Sequence, residues 1–291
     1  MFHNAMKTNI PEINNYWDYT IEPNENILQL KHKELWEYRD LLYLLVKRDI
    51  IAFYKQTIFG PLWFFIQPLF QTLVFAILFG KIAALSVDGL PHVLFYLLGI
   101  VIWTYFADTL TKTSTVFKDN TALMGKVYFP RLILPISIAI SGLVKFAVQF
   151  FLFLFFYFYY IHLHVIHSNG LVFIFPFILG LLLMQSLGWG LLISSLTNKY
   201  RDLAFVVSFG IQLLMYITPV VYPLSMAPAS IKKFLLLNPL NSLFEVCRLG
   251  FLGKGYYSWH LFLYTSFFSL FILIVGIICF NKVEKKFIDT I

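Results

Sequence analysis

The chain has 291 residues, 59% of them hydrophobic and only 13% charged, with a net charge of +7 and a mean hydropathy of +0.75. A soluble domain carries about 25% charged residues, so a chain this apolar cannot cover itself with polar groups, and a soluble globular protein is excluded. Runs such as FLFLFFYFYY at 151–160 do not alternate polar and apolar residues, which excludes a membrane β-barrel too.

A bilayer core about 30 Å thick needs about 20 apolar residues per helical span. Six runs meet the need: Leu62–Ala84, Val93–Thr111, Leu132–His162, Leu171–Leu196, Ala204–Leu224 and Trp259–Phe280. They must be helices, because open sheet edges cannot be satisfied in lipid. The expected fold is therefore all-α and polytopic. It divides into a cytoplasmic tail (1–32), an interfacial amphipathic helix (33–60) and a six-span domain (61–291). With the N-terminus in the cytoplasm, sixteen Lys and Arg fall inside and five outside, and Lys145 lies within a span. The positive-inside rule then places both termini in the cytoplasm and accounts for the net charge without nucleic acid as a partner.

In chain order, residues 1–30 are polar and rich in Asn, with Tyr16, Trp17 and Tyr19 as the only evident anchors. No basic segment followed by an apolar core opens the chain, so no signal peptide is expected. In the helix of residues 33–56, Leu35, Tyr38, Leu42, Leu45, Val46 and Phe53 share one side, expected in the acyl boundary. The charged residues lie mainly elsewhere, either as a plain anchor's solvated side or as a contact for a cytoplasmic partner. Asp49 falls on the apolar side and needs either a bend or a cationic partner. Gly60-Pro61 then breaks the helix before the first span.

The first span carries Phe64, Gln67, Gln71 and Phe75 on one face, and the fifth carries Phe205, Phe209, Gln212 and Tyr216. Aromatic rings accept the CH faces of sugars, and amides trade hydrogen bonds with hydroxyls. Two such stripes suit the lining of a sugar channel. Alternatively, the amides pair between helices and the rings face lipid.

After the second span, Asp119-Asn120 offers an N-cap for a short basic helix through Lys126, and Pro130 and Pro135 rigidify the re-entry. Lys145 in the third span lies roughly 15–20 Å along the helix from its inner end. A lysine there is costly unless paired or wetted. It faces a polar cavity or anionic substrate group, snorkels, or pairs with Asp108. His162, His164 and His167 have no acidic or thiol ligand beside them, and no metal is expected. Ser186, Gly190 and Ser194 let helices approach closely. The fourth span ends in a tight NKYRDL turn.

Beyond the fifth span, about 35 residues hold four prolines and two apolar stretches too short to cross. A re-entrant or interfacial helical hairpin is expected there, with Glu245 and Arg248 at i, i+3 positioned to pair. Cys247 and Cys279 are expected to stay apart as small apolar residues.

The phosphate loop Gly-x4-Gly-Lys-Ser/Thr, His-Glu-x-x-His and Gly-x-Ser-x-Gly are all absent from the sequence. The spans carry almost no ionisable residues, which counts against a membrane-embedded glycan transferase and against a proton-coupled carrier. A conduit driven by another protein fits better.

Five blocks in order carry a resemblance: YKQTIFGPLWFFIQPL (Tyr54–Leu69), KVYFPRLILP (Lys126–Pro135), NKYRD (Asn198–Asp202), TPVVYP (Thr218–Pro223) and NPLNSLFEVCR (Asn238–Arg248). From about Leu35 on, the chain resembles the membrane subunit of ABC exporters for bacterial surface polysaccharides, the O-antigen, capsule and teichoic-acid group. The resemblance implies a homodimer in the cytoplasmic (inner) membrane, two ATP-binding-cassette subunits that hold ATP and Mg, and a lipid-linked or extending polysaccharide as cargo. It implies contact with those subunits through Glu37, Arg48 and Lys55, through Asn120, Lys126 and Arg131, and through Tyr200 and Arg201. The first and fifth spans would line the channel, with Lys145 added to the two stripes. Pro219, Tyr222, Pro223, Glu245 and Arg248 would belong to an outer gate. An exporter subunit for a small hydrophobic drug or lipid is the alternative.

Overall fold

A computed structural model describes residues 32–288 except Gln56, Tyr128, Asn198 and Arg201. The N-terminal tail with Tyr16, Trp17 and Tyr19 lies outside the described residues, as does Arg201. All described residues belong to one compact unit, Lys31–Ile291.

Among them there is no strand, and twelve α-helices follow in order. Helices α1 (His32–Glu37) and α2 (Arg39–Tyr54) form the amphipathic segment; α3 (Trp63–Phe75) is preceded by a 3-10 turn at Gly60–Leu62 and continued by a π-helix at Ala76–Ile82. Then come α4 (His92–Ser114), the short α5 (Val116–Asp119) and α6 (Thr121–Met124), and α7 (Ile133–His162). The last five are α8 (Phe175–Thr197), α9 (Leu203–Ile217), α10 (Ala229–Leu237), α11 (Pro239–Leu252) and α12 (Trp259–Ile288). Among the described residues, five stretches are long and apolar enough to cross a membrane: Gly60–Ile82, His92–Ser114, Ile133–His162, Gly170–Thr197 and Trp259–Glu284. Helix α9 is apolar but has only 15 residues, about 22 Å at 1.5 Å per residue.

The expected fifth span, Ala204–Leu224, is thus corrected. Pro219 disfavours the helical region for the residue before it, and Thr218 takes an extended backbone at ψ 141°. The rest of TPVVYP runs on without helix.

Helix α4 is the axle of the fold. In its most apolar window 78% of residues are buried, against 11% in the stretch Gly60–Ile82. It packs against α3, α7, α8 and α9, and the large core cluster gathers around Leu94–Phe106. Helix α8 packs closely on α12 because glycines face each other. A Cβ built on Gly188 would lie 2.7 Å from the backbone of Ile272 and Leu273, and one on Gly276 would strike the Gly188 carbonyl. On the other side, a Cβ at Gly190 would lie 2.6 Å from Thr113 Cβ. Gly190 of the expected small-residue stripe therefore packs on α4, and Gly188–Gly276 forms a second seam on the α12 side. Gln185 Nε2 donates to Ser269 Oγ at 2.8 Å across the α8–α12 interface, where a buried amide needs a partner.

A second cluster closes one end of the bundle: Leu45, Val116, Phe117, Met124, Phe129, Ile133, Leu134, Leu191 and Phe280, with Phe117 stacked on Phe280 at 4.7 Å. Leu45 is buried, and Leu35, Tyr38, Leu41 and Leu42 pack around it. The apolar side expected in the acyl boundary thus rests on protein, chiefly on α7. Trp36, Tyr43 and Leu44 are exposed elsewhere on the segment, so it is apolar on more than one side. Asp49 finds its cation next door, with Arg48 Nη2 at 2.8 Å from Oδ1. This end, with α2 and the 115–131 connection, is called the basic end. Helices α10 and α11 form the hairpin end.

Candidate functional site

The hairpin end is built on α11. Asn238 caps it by accepting from Leu240 N–H at 3.1 Å, with Pro239 in the first turn. Gly253 ends it in the left-handed region at φ 71°. A Cβ there would also strike the His167 carbonyl, so only glycine fits.

One turn earlier, Arg248 and Glu245 form the expected i, i+3 pair at 3.3 Å, and both side chains are almost fully buried, 2% and 4% exposed. Arg248 Nη2 donates to the Val220 carbonyl at 3.1 Å, and its guanidinium lies 3.7 Å from the centre of the Phe95 ring on α4. Glu245 Oε2 accepts from Tyr256 N–H at 2.9 Å. Burial pushes the arginine below its ordinary range, and the Glu245 carboxylate beside it opposes that shift. The pair therefore fixes the non-helical TPVVYP stretch onto α4. Pro219 and Pro223 are buried with it and Tyr222 is half-buried, its hydroxyl donating to the Tyr216 carbonyl at 3.1 Å. Ser225 Oγ donates to Asp88 Oδ1 at 2.8 Å, tying this stretch to the α3–α4 connection. Sequence reasoning missed this tie and the Phe95 contact, since neither partner is near in the chain. Burial also pushes the Cys247 thiol up to about 12, so it stays protonated at neutral pH. Cys247 and Cys279 are both free.

The two aromatic–amide stripes stand on two helices that the subunit covers little. On α9, Phe205 is 80% exposed, and Phe209, Gln212 and Tyr216 are exposed as well; only Ile211 is buried. On α3, Gln67 is exposed while Phe64, Gln71 and Phe75 are half-buried. Phe75 turns its ring toward the core and meets Phe79 and Tyr96 edge-on at 5.5 and 6.1 Å. Pro68 and Thr72 are the buried residues of α3, and the Pro68 ring removes a helical donor mid-span. Both stripe-bearing helices pack against α4. Among the described residues, no neighbouring span gives the stripe amides a side-chain partner as Ser269 does for Gln185.

Lys145 is paired with Asp108: Nζ lies 2.7 Å from Oδ2, with side chains 11% and 38% exposed respectively. Of the readings open at this residue, the structure shows the ion pair.

At the basic end, Glu37, Arg48, Lys55, Lys126 and Tyr200 are exposed. Asn120 is half-buried, and the capping expectation is corrected: its side chain donates back to the Val116 carbonyl at 3.0 Å, and two one-turn helices ending at Met124 replace the single helix through Lys126. Arg131 is buried, with Nη1 donating to the Glu284 carbonyl on α12 at 3.4 Å. Among the described residues, no three His, Cys, Asp or Glu side chains gather at metal-ligand spacing.

Comparison with known proteins matches residues 40–252 to a family model described as ABC-2 type transporter. The chain is 30% identical over 213 residues to the O-antigen export system permease protein RfbA of Myxococcus xanthus, covering 72% of this chain and 80% of that protein. It is 29% identical over 259 residues to a protein of the same name from Klebsiella pneumoniae, covering 86% and 94%. The polysialic acid transport protein KpsM of Escherichia coli is 23% identical over 249 residues, covering 84% and 93%.

Proposed function

Because the chain belongs to the ABC-2 type transporter family, we propose that it is the permease subunit of an ATP-driven exporter that moves a lipid-linked or extending polysaccharide across the bacterial cytoplasmic membrane. It works as a homodimer with two ATP-binding-cassette subunits. Those subunits bind ATP with Mg and hydrolyse it. Both termini face the cytoplasm, which makes the basic end the inner end. The short α10–α11 pair sits at the outer surface as a re-entrant hairpin, and α9 with the TPVVYP stretch completes a sixth crossing.

The observation that carries the reading is the placement of the stripes. Two helices with sugar-suited faces pack against the same helix α4, with Gln67 on α3 and Phe205, Phe209, Gln212 and Tyr216 on α9 left exposed by their own subunit and Gln71 half-buried. An amide in hydrocarbon is costly without a partner. A second copy bringing the same two helices closes a path lined with rings and amides. The relatives' names, for O-antigen and polysialic acid, agree with a glycan cargo. Charged side chains exposed at the basic end, Glu37, Arg48, Lys55 and Lys126, are offered to the ATPase. Tyr200 and Arg201 make a smaller contact. Arg131 supports that surface from within through Glu284.

Deletion of the protein is expected to trap glycan inside the cell, read by surface glycan staining against intracellular glycan. Normal surface glycan in a strain without a paralogue would overturn the proposal. Phe64→Ala, Gln71→Ala and Tyr216→Ala are each expected to impair export at unchanged expression.

A further inference from the structure

Helix α4 is closed on all sides from Leu94 to Trp103. Toward the basic end it opens along one line only: Thr104, Asp108, Thr111, Lys112 and Thr115 are half-buried or exposed, while Tyr105, Phe106, Thr109, Leu110 and Thr113 between them are buried. The spacing i, i+4, i+7, i+8, i+11 is one helix face. Ala107 is the only apolar residue that borders it in the open. A polar, ionised line of this kind is not a lipid-facing surface. Asp108 lies six residues from the end of α4, about 9 Å by helical rise. The line therefore runs from the membrane surface to the Asp108–Lys145 pair.

Among the described residues, the Glu245–Arg248 and Lys145–Asp108 pairs differ in one respect. Glu245 and Arg248 are both sealed, at 4% and 2% exposure. In the other pair the lysine is nearly covered at 11%, and the carboxylate stands open at 38%. A pair that only neutralises a buried lysine has no need to present its acid. Lys112, one turn from Asp108 on the same face, is exposed. The face thus carries a second lysine beside the Asp108–Lys145 pair, with Thr104 and Thr111 at the adjoining positions.

We propose that Lys145 and Lys112 form a binding site for the phosphoester of an amphiphilic substrate, and that Asp108 occupies the anion's place until the phosphate displaces it. This inference rests on the export reading, because it places the site beside the path whose walls are α3 and α9. The line's hydroxyls, Thr104 and Thr111, suit the sugar next to the phosphate. A phosphate oxygen makes the same short charge-assisted bond that Asp108 Oδ2 now makes at 2.7 Å. Its extra charge is drawn by Lys112.

The test is binding of phosphatidic acid to the purified full-length chain in phosphatidylcholine nanodiscs, with inorganic phosphate as a second ligand. Phosphatidic acid is expected to bind the wild type and Lys145→Arg. Lys145→Gln is expected to weaken it at least tenfold, and Asp108→Asn to tighten it several-fold by removing the internal competitor. Competition by inorganic phosphate at similar affinity would support the anion site and identify its ligand as the free phosphate group; no competition would identify a lipid headgroup. Unchanged binding in Lys145→Gln overturns the inference, and so does equal weakening in Asp108→Asn, which marks a merely structural pair. If Lys145→Gln fails to fold, the double variant Asp108→Asn/Lys145→Gln, which leaves no unpaired charge, is used in its place under the same criteria. Export by Phe205→Ala/Phe209→Ala tests the path separately. Lost export with Lys145-independent phosphate binding removes this site and keeps the path. Normal export with Lys145-dependent binding does the reverse.

Discussion

The frame of the subunit and its walls are built by opposite rules. Helices α4, α8, α11 and α12 turn their main polar and close-packing contacts inward: Gln185 on α8 finds Ser269 on α12, Gly188 faces Gly276, and Arg248 on α11 is held by Glu245 and the Val220 carbonyl. Helices α3 and α9 do not. Gln67, Gln212 and most of their rings are left at the subunit's surface, and α3 is loosened by Pro68 and a π-helical turn. π-Helical turns and mid-helix prolines mark places where a helix gives up regularity. With α3 and α9 as the proposed path, the difference separates stability from transport chemistry in this fold. Damage to the frame removes the protein, whereas damage to the walls leaves it folded and idle.

Breaking the frame at its most buried charge should show the largest effect on stability. Arg248→Ala strands Glu245, and removal of one partner from a buried pair costs about 3–5 kcal/mol. Thermal unfolding in detergent should detect this, with export lost in proportion to the folded protein. Next comes Gly188→Leu on the α8–α12 seam. Overpacking of this kind costs about 1–3 kcal/mol, and a drop in the same melting measurement checks it. Ser269→Ala leaves the Gln185 amide without its acceptor, at about 1–3 kcal/mol. The smallest stability effect is expected at the walls, where Phe205→Ala/Phe209→Ala should stay within about 0.5 kcal/mol. Export by that variant should nevertheless fall at least tenfold. A wall variant that unfolds, or a frame variant that folds and fails only in export, would blur the separation.

The frame was legible in the sequence wherever length and hydropathy decide. Helices α4, α7 and α12 stand where their apolar runs place them. The end of α9 was misread because TPVVYP is apolar, although Pro219 carried the stop signal. The amphipathic segment was half legible: Leu45 and Leu42 were on the right face, but periodicity cannot tell lipid from a neighbouring helix. Tyr43 and Leu44, exposed beside Lys47, blur the pattern further. The Glu245–Arg248 and Lys145–Asp108 pairs were visible as spacing or as one alternative among several. Their unequal exposure was not, because burial is decided by elements distant in the chain. The polar line on α4 had a signal, threonines and charges at helical spacing inside an apolar run, that went unread.

The central claim is that α3 and α9 line the path of a glycan. A photo-reactive phenylalanine analogue placed at Phe209 or Gln67, and at the exposed Phe151 of α7 and Phe271 of α12 as controls, measures it directly in cells that are exporting. The account predicts glycan-bearing adducts at 209 and 67 and lipid adducts at 151 and 271. Lipid adducts at all four positions, with no glycan at 209 or 67, would contradict it.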